Sequence, residues 1–190
     1  RQRQMCIRDS LEVEPVAFDF EGNAFIDHFL NLWSSVPAGI LASVIERGLD
    51  PESVLEPVTL GMAARFAEAP PNAIADAAGY FSAYTARIDA QFEPYDAVLS
   101  PVLRRPPIPL GEQAGTRPYG EVIDPLIDYV SYTPIYNATG HPAMSVPLGW
   151  NRDSLPIGSQ FIAKHGAERT LIELAYAVSY THLTLPTNGC

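Results

Sequence analysis

The chain has 190 residues, of which 47% are hydrophobic and 18% charged, enough apolar material for a packed core and too little charge for a disordered chain or a charge-laced coiled coil. Acidic residues outnumber basic ones 22 to 12, and the formal net charge of −10 repels a phosphate backbone. Arg104-Arg105 is the densest basic pair and sits among prolines, so nucleic-acid binding is excluded as a function class.

The two ends differ in character from the interior. Residues 1–10 and 178–190 resemble translated sequencing-adapter read-through, and both are expected to be non-native. A helical pattern runs into Ala177 and then gives way to β-branched and turn residues. Setting these ends aside removes Cys6 and Cys190, the only cysteines, and leaves residues 11–177 without thiol chemistry or a disulfide. No apolar run reaches the roughly 20 residues of a membrane-spanning helix, and residues 1–10 lack the apolar stretch of a secretory signal. No membrane partner and a cytoplasmic location are expected.

In chain order, Val13-Glu-Pro-Val16 reads as an extended segment, because Pro15 restricts the residue before it. From about Asn23, Phe25, Phe29, Leu32 and Trp33 recur at helical spacing. Pro37 is expected to kink or divide this helix, and Gly48 to end it. Asp50-Pro51 is an N-cap followed by proline at the first helical position, which opens a short helix. A further helix is predicted from about Thr59 to Ala69, stopped by Pro70-Pro71. The clearest one spans about Asn72 to Phe92, with Ile74, Ala78, Phe81, Thr85, Ile88 and Phe92 forming its apolar face.

Beyond it, Tyr95–Ser100 reads as a short buried strand ended by Pro101. Residues 101–120 carry five prolines and three glycines and are expected to form a long irregular loop of the gating kind. Two more strands, at residues 143–148 and 157–162, are joined by the polar turn Asn151-Arg-Asp-Ser154. Pro142 and Pro147 are expected to bracket the first of them. Asn137 is placed to cap a turn and Gly140 to take a positive φ. A final helix begins near Ala167. This order of elements indicates an α/β layered architecture, with too few strands for a complete sheet. An unpaired sheet edge and exposed apolar surface are therefore expected.

Three stretches, taken in order, resemble the end of amidase-signature hydrolases. They are Phe92-Glu-Pro-Tyr-Asp-Ala-Val-Leu-Ser-Pro101, Tyr132-Thr-Pro-Ile-Tyr-Asn-Ala-Thr-Gly-His-Pro-Ala-Met-Ser-Val-Pro147, and Leu155-Pro-Ile-Gly-Ser-Gln-Phe-Ile162 followed by Glu168 and an apolar helix. Val13-Glu-Pro-Val16, Leu32-Trp33 and Leu55-Glu-Pro-Val-Thr59 look like the cyclic-amide and 6-aminohexanoate-oligomer branch. The resemblance implies the C-terminal part of an α/β/α fold, with a mixed sheet flanked by helices and incomplete in this chain. It also implies an amide-bond hydrolase that works on a small-molecule amide without metal or organic cofactor, with a homodimer as the possible state of the full-length protein. From the same likeness come Thr133, Tyr136 and Asn137 as substrate-lining residues.

The family's chemistry uses a serine nucleophile, a second serine and a lysine base. A serine hydroxyl needs a base within hydrogen-bond reach, and a lysine serves only with a lowered pKa. None of these groups is matched here, so no catalytic residue is assigned. Ser34-Ser35 lacks flanking glycines and reads as a helix surface or kink. Lys164 reads as part of a solvated turn. His28, His141, His165 and His182 lack metal-ligand spacing, His141 reading as a turn residue. Ser145 and Ser159 lack a nucleophile elbow, and nothing pairs Glu56 with Asp96. Asn137-Ala-Thr139 matches a glycosylation acceptor only by coincidence. The alternatives are the amidase-like component of a glutamine-dependent amidotransferase complex and a non-catalytic remnant or binding module.

Overall fold

The computed structural model describes residues 11–18 and 21–183, with side chains through Val178. Residues 1–10 and most of 178–190 lie outside that range. The contacts divide the chain into two units: a helical one of residues 21–87 and Leu103–Thr139, and a strand-bearing one of residues 11–18, Ile88–Val102 and 140–183.

The helical unit opens with α1 (Gly22–Glu46), which continues through Pro37 without a break. That differs from the expected division. A proline in a helix interior removes one backbone donor. In the turn before it, the Ser34 and Ser35 hydroxyls donate to the carbonyls of Asn31 and Leu32, at 3.2 and 2.6 Å. Side-chain bonds of this kind bend a helix without ending it. By length and composition α1 could cross a membrane, although no unbroken apolar run marks it in the sequence. Core helices of soluble proteins satisfy the same criterion, and Leu30 of α1 packs in a core with Met62 and Ile123.

Helix α2 (Pro51–Val54) starts as expected, the Asp50 carboxylate accepting from the Glu52 N–H at 3.2 Å. Next come α3 (Pro57–Glu68) and α4 (Ala73–Phe92). The buried face of α4 is Ala73, Ala77, Phe81, Tyr84, Ile88 and Phe92, while Ile74 is exposed. The expected stripe is thus one residue out of phase at Ile74, Ala78 and Thr85, and true at Phe81, Ile88 and Phe92. Rings fix this face within the helical unit: Phe25 meets Phe81 edge-on at 5.4 Å and Tyr84 at 5.3 Å, and His28 stacks on Tyr80 at 4.3 Å.

Two helices were not foreseen. After the irregular stretch come α5 (Tyr119–Val130), with Pro125 inside it, and the short α6 (Pro134–Thr139). Helix α5 packs closely on α3, the Tyr119 Cβ leaving no room for a side chain at Gly61. Asn137 sits inside α6 rather than capping a turn, because the helix absorbs the segment read as a turn. Gly140 does take a positive φ, +75°.

The strand-bearing unit carries β1 (Val98–Pro101), β2 (Ala143–Trp150) and β3 (Pro156–Ile162), antiparallel in the order β1-β3-β2. The mixed sheet implied by the resemblance is therefore an antiparallel one among the described residues. The central β3 pairs Val98 and Ala143 on either side of Ile162. Its hairpin to β2 turns where expected: Asn151 Oδ1 accepts from the Asp153 and Leu155 N–H groups at 2.9 and 2.8 Å. Pro147 lies within β2 rather than at its end. The register shifts between Pro147 and Gly149, and β2 is an edge strand among the described residues, which is where a residue without an N–H is tolerated. Strand β2 is half-buried, Met144, Val146 and Leu148 packing on a core of Phe161, Ala163, Leu171 and Val178. The last two belong to α7 (Glu168–Leu183), which runs past the expected end at Ala177.

Candidate functional site

Of the three residues expected to face substrate, the helical unit gives each a different environment. Thr133 is half-buried just before α6, its hydroxyl donating to the Val130 carbonyl at 3.2 Å. Tyr136 is buried, and burial first, with Tyr84 adding to it, pushes its phenol pKa upward. Asn137 is exposed.

Beside this segment, α1 and α5 border a groove of about 520 Å³. Phe25, Phe29, Trp33 and Ile127 supply apolar walls, and Arg104, Asp124 and Asp128 supply polar groups. Arg104 is ion-paired with Asp128. Ser131, Pro134 and Ile135 reach the groove, whereas Thr133, Tyr136 and Asn137 do not line it. Within α6, Pro134 and Ile135 face the groove while Tyr136 and Asn137 lie on other sides of the helix. A groove of this makeup suits a ligand with an apolar body and one or two polar ends.

In the strand-bearing unit the structure assembles a cluster with no counterpart in sequence spacing. His141 is not a solvated turn residue; its side chain is fully buried. Its Nε2 lies 3.1 Å from Asp89 Oδ1, and the His165 Nε2 lies 3.6 Å from the same oxygen. The two imidazoles are 4.2 Å apart, and Phe92 meets His141 edge-on at 5.1 Å. Burial, then His165, lowers the His141 pKa, with the Asp89 carboxylate opposing both. Next to it, Lys164 is anchored rather than free in a turn: its Nζ donates to the Glu93 carbonyl at 2.7 Å. The Gly140-His141-Pro142 run hinted at a constraint, since Gly140 permits a positive φ and Pro142 restricts the residue before it.

The Amidase family model matches residues 53–172. The chain belongs to the amidase family. Three solved structures place the amidase-family chain within its fold. It superposes on the 6-aminohexanoate cyclic dimer hydrolase, in complex with substrate, with a TM-score of 0.80 at 19% identity, covering 95% of this chain and 39% of that one. A bacterial aryl acylamidase of the amidase signature family gives 0.69 at 22% identity, over 83% and 34%. Kluyveromyces lactis allophanate hydrolase, as an S177A variant, gives 0.68 at 16% identity, over 95% and 28%. Among curated relatives, a Mycobacterium leprae protein named as the amidase AmiC is 39% identical over 85 residues, 45% of this chain and 18% of that protein. A glutamyl-tRNA(Gln) amidotransferase component from Koribacter versatilis is 35% identical over 116 residues, 54% and 22%. The chain thus spans about a fifth of the curated relatives it matches.

The family match takes in Thr133, Tyr136 and Asn137, together with Asp89, His141, Lys164 and His165. Ser34 and Ser35 fall outside it. Ser34 is buried in α1 rather than on a helix surface. Its hydroxyl is spent on a helix carbonyl, like that of Ser35, and neither serine is poised as a nucleophile.

Proposed function

We propose that this chain is part of an amidase that cleaves a small carboxylic amide through an acyl-serine intermediate. The serine nucleophile, second serine and lysine base are carried by polypeptide beyond these 190 residues. In that reaction the serine oxygen bonds to the amide carbon while the lysine takes its proton. The amine leaves with a proton, and water then releases the acid. The family match over 53–172 carries this reading, joined to the small fraction of each relative that the chain spans. Thr133, Tyr136 and Asn137 are proposed to shape the substrate side of the site, Thr133 and Asn137 by contact and the buried Tyr136 by supporting them. A cytoplasmic location, amide chemistry free of metal or organic cofactor, and a homodimeric full-length protein belong to the same proposal.

The test compares two preparations on a panel of aliphatic, aromatic and cyclic amides. The 190-residue chain is expected to show no turnover, and the full-length protein from the source locus is expected to hydrolyse at least one member. Turnover by the short chain, or a full-length protein inert on the whole panel, would reject the reading.

A second reading has its own support in the Koribacter versatilis match, which covers more of the chain than the AmiC match does. Here the full-length protein delivers ammonia as the amidase-like component of a glutamine-dependent amidotransferase complex. Glutamine hydrolysis together with stable co-purification of the other components favours it; amide hydrolysis by the isolated protein favours the first reading.

A further inference from the structure

Asp89 lies on the last turn of α4, His141 leads into β2 and His165 follows β3, so three elements of one unit converge. From this convergence we infer that Asp89, His141 and His165 form a binding site for a divalent transition-metal ion of the zinc class. One ligand atom from each residue lies within 4.8 Å of the others. The two imidazole Nε2 atoms sit 3.1 and 3.6 Å from the same carboxylate oxygen. Zinc bonds of about 2.1 Å in tetrahedral geometry require ligand atoms about 3.4 Å apart. The two separations from Asp89 bracket that value and the third pair lies within 4.8 Å, so side-chain adjustment is what would bring all three atoms to one ion.

Two imidazoles and one carboxylate suit zinc, cobalt, nickel or copper rather than magnesium or calcium, which prefer all-oxygen sites. Exposure is divided as such a site needs. The His141 side chain is fully buried and held against Phe92, which fixes one ligand in advance. Asp89 and His165 side chains are 48% and 45% exposed, leaving a route for the ion and space for a water as fourth ligand. The inference does not rest on the amide chemistry proposed above.

Titration calorimetry with zinc chloride on the chelator-treated chain tests the inference. A C6S/C190S/H182A background removes terminal residues that would bind zinc on their own. Binding of about one zinc per chain is expected, with affinity at least tenfold weaker in D89N and in H165A. Both substitutions replace half-exposed side chains, and circular dichroism confirms that each variant keeps its fold. Cobalt in place of zinc is expected to give the intense visible absorption of a tetrahedral site, lost in H165A. Absence of binding in the background chain, or unchanged affinity in both folded variants, would overturn the inference. A bare hydrogen-bonded cluster predicts the first of those results, and adventitious surface binding predicts the second.

Discussion

At His141, identity and environment part company. Flanked by Gly140 and Pro142, it looks like a turn residue, yet its side chain is shut from solvent against Phe92, Asp89 and His165. Its pKa lies below the ordinary histidine value of 6.5, with burial the largest cause and the neighbouring His165 the next. The unfolded chain therefore takes up a proton at higher pH than the folded one. Stability is expected to be intact above the unfolded value and to fall as pH drops through it toward the folded pKa. Between about pH 7.5 and about pH 5.5 the urea midpoint of the metal-free chain should decline. H141Q should flatten that slope, and an equal slope in both proteins would remove His141 as its source. Thr133 offers a second check in the full-length enzyme. T133V keeps the volume and deletes the hydroxyl, so KM should rise several-fold with kcat little changed if the residue contacts substrate. An unchanged KM would leave Thr133 as a packing residue of the α6 turn.

Between elements, closeness of approach decides which glycines matter. Gly61 on α3 faces the Tyr119 Cβ of α5, an atom fixed to the backbone, whereas Gly115 faces only the far end of the Glu56 side chain. G61A is therefore expected to force the two helices apart and cost about 1–3 kcal/mol. In G115A the Glu56 carboxylate swings away, and the change should stay within about 0.5 kcal/mol. Chemical denaturation of the two variants side by side checks the contrast, and equal losses would refute it. Helix α4 shows the same dependence on partners. Its period is legible, but the expected stripe has Ile74 and Thr85 where Ala73 and Tyr84 are buried, because neighbouring residues fit the same spacing of three and four. The rings of Phe25 and Phe81 select Tyr84 instead. Helices α5 and α6 were illegible for a related reason. Pro118 reads as part of the irregular 101–120 stretch, although Pro118 and Pro134 stand at helix starts, where the missing N–H costs little.

Over the molecule as a whole, apolar surface left in the open is the dominant feature. Trp33, Val36 and Ile40 lie three and four residues apart on α1 and are 40%, 61% and 44% exposed. Leu99 and Trp150, on the two edge strands, are 51% and 61% exposed. Surface of this kind drives association. Sedimentation of the 190-residue chain should show species that grow with concentration, and paired V36E and I40E substitutions should shift them toward monomer. A chain that stays monomeric at high concentration, or variants that associate as before, would show that these faces are not responsible.

Sequence by itself determined the family, the order of most elements, the Asp50 cap, the Asn151 hairpin and the positive φ at Gly140, because each depends on neighbours in the chain or on motifs read in order. Tertiary structure alone decided the phase of α4, the depth at which Tyr136 and Ser34 are buried, and the meeting of Asp89 with His141 and His165. Those outcomes depend on groups far apart in the chain, whose separation becomes short only when the elements of each unit bury their apolar faces together.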